Sequence, residues 1–181
     1  TRLREKFSSI SIEIYPMLQD EYHRLYQAGI DGVALYQETY DRDVYADYHI
    51  AGPKRDYDNR IDAPDRFGAA GMRYLGLGFL LGLADWRIET LALAEHAAWL
   101  MKRYWRAKID FSFPRIRPAR NVRDQWPCLV SDTNMVQMML ALRLCFADAG
   151  IVLSTRESAV FRDHAINLCV TRVSAGSKTN P

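Results

Sequence analysis

The chain has 181 residues, 49% of them hydrophobic and 25% charged, and 24 basic against 22 acidic side chains leave a formal net charge of +2. This is ordinary globular composition, sufficient for one sizeable core but short of the roughly 250 residues of a complete eight-stranded barrel. So small a net charge gives no field that draws the chain to nucleic acid or a membrane surface, and no apolar stretch approaches the ~18–20 residues of a membrane span. The chain opens on Thr1 with no charged-then-apolar leader pattern, so a missing amino terminus is expected. Cys128, Cys145 and Cys169 form an odd, widely spaced set. They make neither a disulfide framework nor a metal knuckle, and a reduced, cytoplasmic protein is expected.

Residues 10–14 alternate apolar and polar and predict a strand, followed by a polar-aromatic helix over 18–27. Three times a helical pattern stops at Ala-Gly and an apolar run resumes at once: Ala28-Gly29, Ala70-Gly71 and Ala149-Gly150. Glycine ends a helix in the left-handed conformation without steric cost. A strand is predicted at 32–35 and a short helix at 41–48. Residues 51–60 read as a charged loop over a strand end, suited to a lid or ligand-binding loop. Asp62 and Pro64 then supply helix-start chemistry. The strand predicted over 74–78 is rich in glycine, which lets a ligand approach the backbone. Asp85 caps a long helix reaching about Trp105, with Ile88, Leu91, Ala98 and Trp99 on its apolar face. His96 on that helix reads as a boundary residue, with no second His one turn away.

The next strand, 109–113, runs into an irregular loop with Arg115, Arg117, Arg120 and Arg123 near Trp126. Arginine beside aromatics can serve RNA, but the weak net charge favours the mouth of an anion site. Ser131 caps a helix through about Phe146, a strand follows at 151–155, a helix starts near Ala159, and the last strand covers 170–175. Six strands with helical connections predict an α/β fold with parallel strands, a partial barrel of the (β/α) type. In such barrels the chemistry sits at the carboxyl ends of the strands. There Glu38, Arg156 with Glu157, and Ser174 with Ser177 offer a carboxylate, a guanidinium and hydroxyls, a set that can hold a zwitterion such as an amino acid. The alternative is that Arg156 and Glu157 only make salt bridges at the rim. Nucleotide-binding, zinc-protease and serine-hydrolase motifs are absent from the sequence.

Six blocks then stand in order: Tyr36-Gln37-Glu38-Thr39-Tyr40; Gly52-Pro53-Lys54 with Asp56-Tyr57-Asp58; Gly76-Leu77-Gly78 with Gly82-Leu83; Ser112-Phe113-Pro114-Arg115-Ile116-Arg117-Pro118; Ser154-Thr155-Arg156-Glu157-Ser158; and Ser174-Ala175-Gly176-Ser177-Lys178-Thr179-Asn180-Pro181. Over essentially its whole length the chain thereby resembles the aromatic-amino-acid lyases of the radical S-adenosylmethionine superfamily, and most nearly the tyrosine lyases of thiamine biosynthesis.

The resemblance implies that residues 1–181 form one partial barrel domain corresponding to strands 3–8 of a radical S-adenosylmethionine barrel. It implies two cofactors, S-adenosylmethionine and a [4Fe–4S] cluster that reduces it by one electron. The resulting 5′-deoxyadenosyl radical takes hydrogen from the amino group of L-tyrosine, and the Cα–Cβ bond breaks to give 2-iminoacetate and p-cresol. Implied partners are thiazole synthase and an electron donor such as flavodoxin or ferredoxin, with no nucleic acid and no membrane. By the same resemblance Glu38 contacts the ribose or amino group of S-adenosylmethionine, Arg60 pairs with its carboxylate, and the backbone at Gly78 and Leu80 lies near the adenine. Arg156 and Ser174 hold the tyrosine carboxylate. The family's Cys-x-x-x-Cys-x-x-Cys motif is absent from this sequence, so no residue here is expected to bind metal, and the chain is expected to be an inactive fragment of a larger enzyme. Two other expectations compete. One is the hydrogenase-maturation branch, which shares Gln-Glu-Thr-Tyr and Ser-Thr-Arg-Glu, although Asp85-Trp86-Arg87 and Tyr104-Trp105 are nearer the thiamine branch. The other is a cluster-less barrel acting only as a binding partner.

Overall fold

The computed structural model describes residues 2–116 and 126–177. Six strands alternate with helices: β1 (Ser11–Glu13), α1 (Gln19–Gln27), β2 (Gly32–Ala34), α2 (Arg42–Tyr48), α3 (Tyr57–Ile61), α4 (Ala63–Ala69), β3 (Tyr74–Gly78), α5 (Trp86–Arg103), β4 (Lys108–Ser112), α6 (Asp132–Cys145), β5 (Gly150–Leu153), α7 (Ala159–Ala165) and β6 (Arg172–Val173). The sheet order is β1-β2-β3-β4-β5-β6, with every neighbouring pair parallel. An order that never doubles back is that of a barrel wall, not of a doubly wound sheet, which reverses at a switch point. The expected partial barrel is therefore the observed fold. Among the described residues no helix is long and apolar enough to cross a membrane.

Four local expectations change. Residues 51–60 are not a plain loop: a 3-10 turn at Pro53–Arg55 leads into α3, whose start is capped by the Asp56 carboxylate accepting from the Asn59 amide at 2.9 Å. Asp62 makes no side-chain cap: it directly follows α3 as its carboxyl-terminal cap and keeps helical backbone angles; Pro64 does stand in the first turn of α4. Gly29 and Gly71 take positive φ (96° and 100°) and end their helices as expected, but Gly150 does not. The helix before it ends at Cys145, and Gly150 lies within β5, where a β-carbon would fall on the carboxylate of Asp110. The buried face of α5 is Trp86, Glu89, Leu93, Ala97 and Leu100, whereas Ile88, Leu91 and Trp99 are exposed. Both sets keep helical spacing, and contact with the sheet chose between them.

The sheet has two unlike faces. Residues of one parity, Val33, Leu35, Leu75, Leu77, Ile109, Phe111, Ile151 and Leu153, are buried in one core with helical Leu93, Leu100, Met138, Met139 and Leu142. Each such side chain contributes about 1.5–3 kcal/mol by leaving water. The other parity carries Ala34, Tyr36, Gly76, Asp110, Ser112, Val152 and Arg172, around a cavity of about 230 Å³. The glycines here are required by neighbouring strands: a β-carbon at Gly76 would lie 2.6 Å from that of Ala34, and one at Gly78 would fall on the Ser112 carbonyl oxygen. Gly78→Ala should therefore lower stability by about 1–3 kcal/mol, because β3 and β4 must part to admit the methyl group. Urea unfolding checks this, and an unmoved midpoint would mean that the two strands are not so closely paired.

Candidate functional site at the carboxyl ends of the strands

Glu38 follows β2 and has φ 75°, the one positive φ at a non-glycine among the described residues. Such a conformation costs about 1–3 kcal/mol and persists only where its surroundings impose it. Two backbone bonds clamp it to the residues ending β3: the Gln37 amide donates to the Gly78 carbonyl at 2.9 Å, and the Leu80 amide donates to the Glu38 carbonyl at 2.8 Å. The next residues are held from α5. The Glu89 carboxylate, 3% exposed, accepts from Thr39 Oγ1 at 2.8 Å, the Tyr40 amide at 2.9 Å and the Asp41 amide at 3.2 Å. Burial pushes the Glu89 carboxyl up, and these donors oppose that rise. Tyr57 Oη donates to the Tyr40 carbonyl at 2.8 Å, and Tyr40 Oη is hydrogen-bonded to His96 Nδ1 at 3.0 Å, the boundary position expected for His96.

So fixed, Glu38 presents its carboxylate to Lys54 Nζ at 2.7 Å and to Arg60 Nη2 at 3.1 Å. Arg60 arrives on α3, is buried, and donates Nε to the Tyr36 carbonyl at 2.8 Å. These groups line a cleft of about 270 Å³ together with Glu13, Tyr15 and Tyr36. Glu38, Arg60, Gly78 and Leu80, far apart in the chain, are thus brought together at the ends of β2 and β3. Lys54 and Glu89 escaped sequence reasoning; the first lay in a segment read as loop, the second inside a helix read only for apolar residues.

At the ends of β5 and β6 the alternative of rim salt bridges holds for Glu157 and not for Arg156 among the described residues. Buried Glu157 is ion-paired with Arg115, whose Nη1 also donates to Asp132 at 2.6 Å and to the Val130 carbonyl at 3.2 Å. Arg115 is thereby committed to structure and does not serve the mouth of an anion site; Arg117, Arg120 and Arg123 lie outside the described residues. Arg156 is left over. Its amide and Nε donate to Ser154 Oγ at 3.2 and 3.4 Å, and among the described residues no carboxylate lies within ion-pair distance of its guanidinium. Ser174 is locked to the preceding residue: Thr155 donates its amide to Ser174 Oγ at 3.1 Å, Ser174 Oγ and Ser177 Oγ are 2.9 Å apart, and the Ser177 amide donates to Thr155 Oγ1 at 3.0 Å. Tyr36, between the two clusters, is close enough to Arg156 to feel its charge, while burial raises its phenol pKa.

Below the rim, Asp110 on β4 is ion-paired through Oδ2 with Arg172 Nη1, and Arg172 lies 5.2 Å above the Tyr74 ring. Burial raises the Asp110 carboxyl, opposed by the charges of Arg172 and Lys108. The period-2 alternation of 108–113 carried the signal for this position, since Asp110 and Ser112 are its polar members. For metals, the three cysteines are dispersed, one buried, one half-buried and one exposed. Among the described residues no group of three His, Cys, Asp or Glu can hold an ion.

A family profile described as Biotin and Thiamin Synthesis associated domain matches residues 112–181. The chain is 45% identical over 181 residues to 2-iminoacetate synthase of Salmonella typhimurium, an alignment covering 99% of this chain and 48% of that protein. It thus spans about half the length of the curated relative it matches. Among solved structures, the [FeFe]-hydrogenase maturase HydG of Carboxydothermus hydrogenoformans matches with a TM-score of 0.88 at 35% identity, over 96% of this chain and 40% of that one. Methylornithine synthase matches with a TM-score of 0.73 at 19% identity, over 98% of this chain and 51% of that one, and shows the fold alone.

Glu89→Ala would strand the donors of buried Thr39 and half-buried Tyr40, while exposed Asp41 can turn its amide to water. A loss of about 2–4 kcal/mol in urea unfolding is expected, since each unsatisfied buried group is costly. A loss no larger than that of an exposed alanine substitution on α5 would show that the turn holds without this carboxylate.

Proposed function

We infer that this chain, a homologue of the 2-iminoacetate synthases along 99% of its length, is the ligand-binding part of a radical S-adenosylmethionine lyase. The proposed reaction breaks the Cα–Cβ bond of L-tyrosine to give 2-iminoacetate and p-cresol for thiamine synthesis. The observation that carries this reading is the Arg156 guanidinium, which has no carboxylate partner among the described residues, in the segment whose Thr155 amide fixes the hydroxyl of Ser174. That is the complement of an amino-acid carboxylate. The identity of 45% to the synthase against 35% to HydG favours the thiamine branch over hydrogenase maturation.

The residues present suit S-adenosylmethionine. Glu38 can accept from its ribose hydroxyls or its ammonium, and Arg60, with Lys54, can take its carboxylate, each group exchanging its present partner for the ligand. The Gly78 carbonyl and Leu80 amide are already bonded within the protein, so the backbone there would meet adenine through its flat face. When bound, the cofactor supplies the radical that removes hydrogen from the substrate amino group. This chain's part is to hold the tyrosine carboxylate at Arg156 and Ser174, to orient the amino group toward the Glu38 side of the rim, and to exclude water. The described residues do not fit as ligands of a [4Fe–4S] cluster, which needs thiolates. Thiazole synthase as the recipient of 2-iminoacetate, and flavodoxin or ferredoxin as electron donor, complete the proposal.

Arg156→Ala, in the intact enzyme containing this chain, should weaken L-tyrosine binding about 10- to 100-fold, the worth of a hydrogen-bonded charge pair. S-adenosylmethionine affinity should be unchanged. Anaerobic calorimetric titration of both ligands checks this, and an equal loss for the two would remove the assignment.

A further inference from the structure

One side chain is shared between two cavities. Tyr36 lines the rim cleft of about 270 Å³ with Glu38 and Arg60, and it also lines the inner cavity of about 230 Å³ with Ser112 and Arg172. Among the described residues it alone borders both. It is half-buried, so its ring is open to these spaces and not sealed in the core. Neighbouring strands fix where it lies. The Gln37 amide donates to the Gly78 carbonyl at 2.9 Å, which sets Tyr36 beside Gly78, and a β-carbon at Gly78 would come within 3.0 Å of Tyr36 Cδ1. The ring thus lies against β3 where that strand has no side chain, and its hydroxyl meets the Ser112 side chain on β4.

The two spaces adjoin the sites of the two proposed ligands. The rim cleft is bounded by Glu38, Lys54 and Arg60, the groups suited to S-adenosylmethionine. The inner cavity runs beneath a group suited to the amino acid. Ser174 continues the β6 ladder, its amide donating to the Leu153 carbonyl at 2.9 Å. Arg172, which lines the inner cavity, precedes Ser174 by two residues, so the two side chains share a face about 7 Å apart along the strand. Arg156 is near enough to Tyr36 for its charge to act on the phenol. The ring therefore stands between the two sites.

We propose that Tyr36 is a positioning residue, the shared wall of the two ligand sites, against which S-adenosylmethionine packs from the rim cleft and the amino-acid substrate from the inner cavity. This rests on the lyase reading above. An aromatic ring open to two spaces gains contact from a ligand in each. Whichever ligand arrives first holds the ring against β3, and the second then meets a wall already in place, at a smaller loss of freedom. Each ligand therefore strengthens the binding of the other, and by the same factor. The coupling belongs to the ring, so phenylalanine can replace tyrosine at position 36 and a short aliphatic side chain cannot.

The test measures, by anaerobic calorimetry on the intact enzyme containing this chain, the dissociation constant of L-tyrosine with and without saturating S-adenosylmethionine. The unmodified enzyme should bind L-tyrosine about 5-fold or more tightly when S-adenosylmethionine is present, the lower end of ordinary coupling between sites. Tyr36→Phe should keep that ratio. Tyr36→Leu and Tyr36→Ala should abolish it, with both ligands still bound and circular dichroism unchanged. A ratio unchanged in Tyr36→Leu overturns the proposal, and so does a ratio lost in Tyr36→Phe, which would assign the coupling to the hydroxyl. Equal affinity for L-tyrosine with and without S-adenosylmethionine in the unmodified enzyme overturns it as well, whether or not any variant folds. That outcome leaves the lyase reading intact, because both ligands bind. Failure of the unmodified enzyme to bind L-tyrosine at all would remove the lyase reading and this assignment together.

Discussion

The strands on either side of β3 lie so close that positions 76 and 78 have room for nothing larger than hydrogen, because the Ala34 methyl on β2 and the Ser112 carbonyl on β4 take the space. Gly150 is under the same constraint from Asp110 across β4 and β5. The outward positions of the same strands carry Leu75, Leu77, Ile109 and Phe111, sealed under the helices. Stability is thus loaded on one face of the sheet. The other face is kept small and polar, free to form a cavity. A half-barrel organised this way can be both well packed and hollow, because its hydrophobic burial does not depend on the interior.

The rim above that cavity is rigid for a related reason. The loops that carry Glu38 and Arg156 are each clamped by the neighbouring repeat. Glu89, in the first turn of α5 after β3, holds the loop that follows β2; Arg115, following β4, holds the loop that follows β5 through Glu157. Both clamps are buried and charged, and both gather several hydrogen bonds, the condition under which a buried charge is tolerated. The strained backbone of Glu38 is held by one clamp, and with Glu157 taken by the other, Arg156 has no carboxylate partner among the described residues. Binding groups arranged in advance lose little freedom when a ligand arrives.

The charges along the rim are ordered. Glu38, Lys54 and Arg60 form one cluster, Arg156 stands in the other, and Tyr36 lies between them. The proposed pair of zwitterionic ligands, an amino acid beside S-adenosylmethionine, would call for this alternation of sign. The Asp110–Arg172 ion pair lies deeper along the same strands.

Fold class, strand order and the residues of the rim were legible in the chain itself, because each depends on short-range pattern. Alternation marks a strand, Gly29 and Gly71 mark helix ends, Asp85 and Ser131 mark helix starts, and Glu38, Arg156 and Ser174 follow the strands directly. Two of the differences share a cause. Residues 57–60 read as loop, Ile88 and Leu91 as part of an apolar face, and Gly150 as a helix stop. In the last two the deciding contact comes from a distant part of the chain: the sheet beneath α5 and Asp110 opposite Gly150. Local periodicity states which residues can share a face, but it carries no information about which face another element will cover. That choice is made by long-range packing, and so is the pairing of charges, which depends on distance in space and not along the chain.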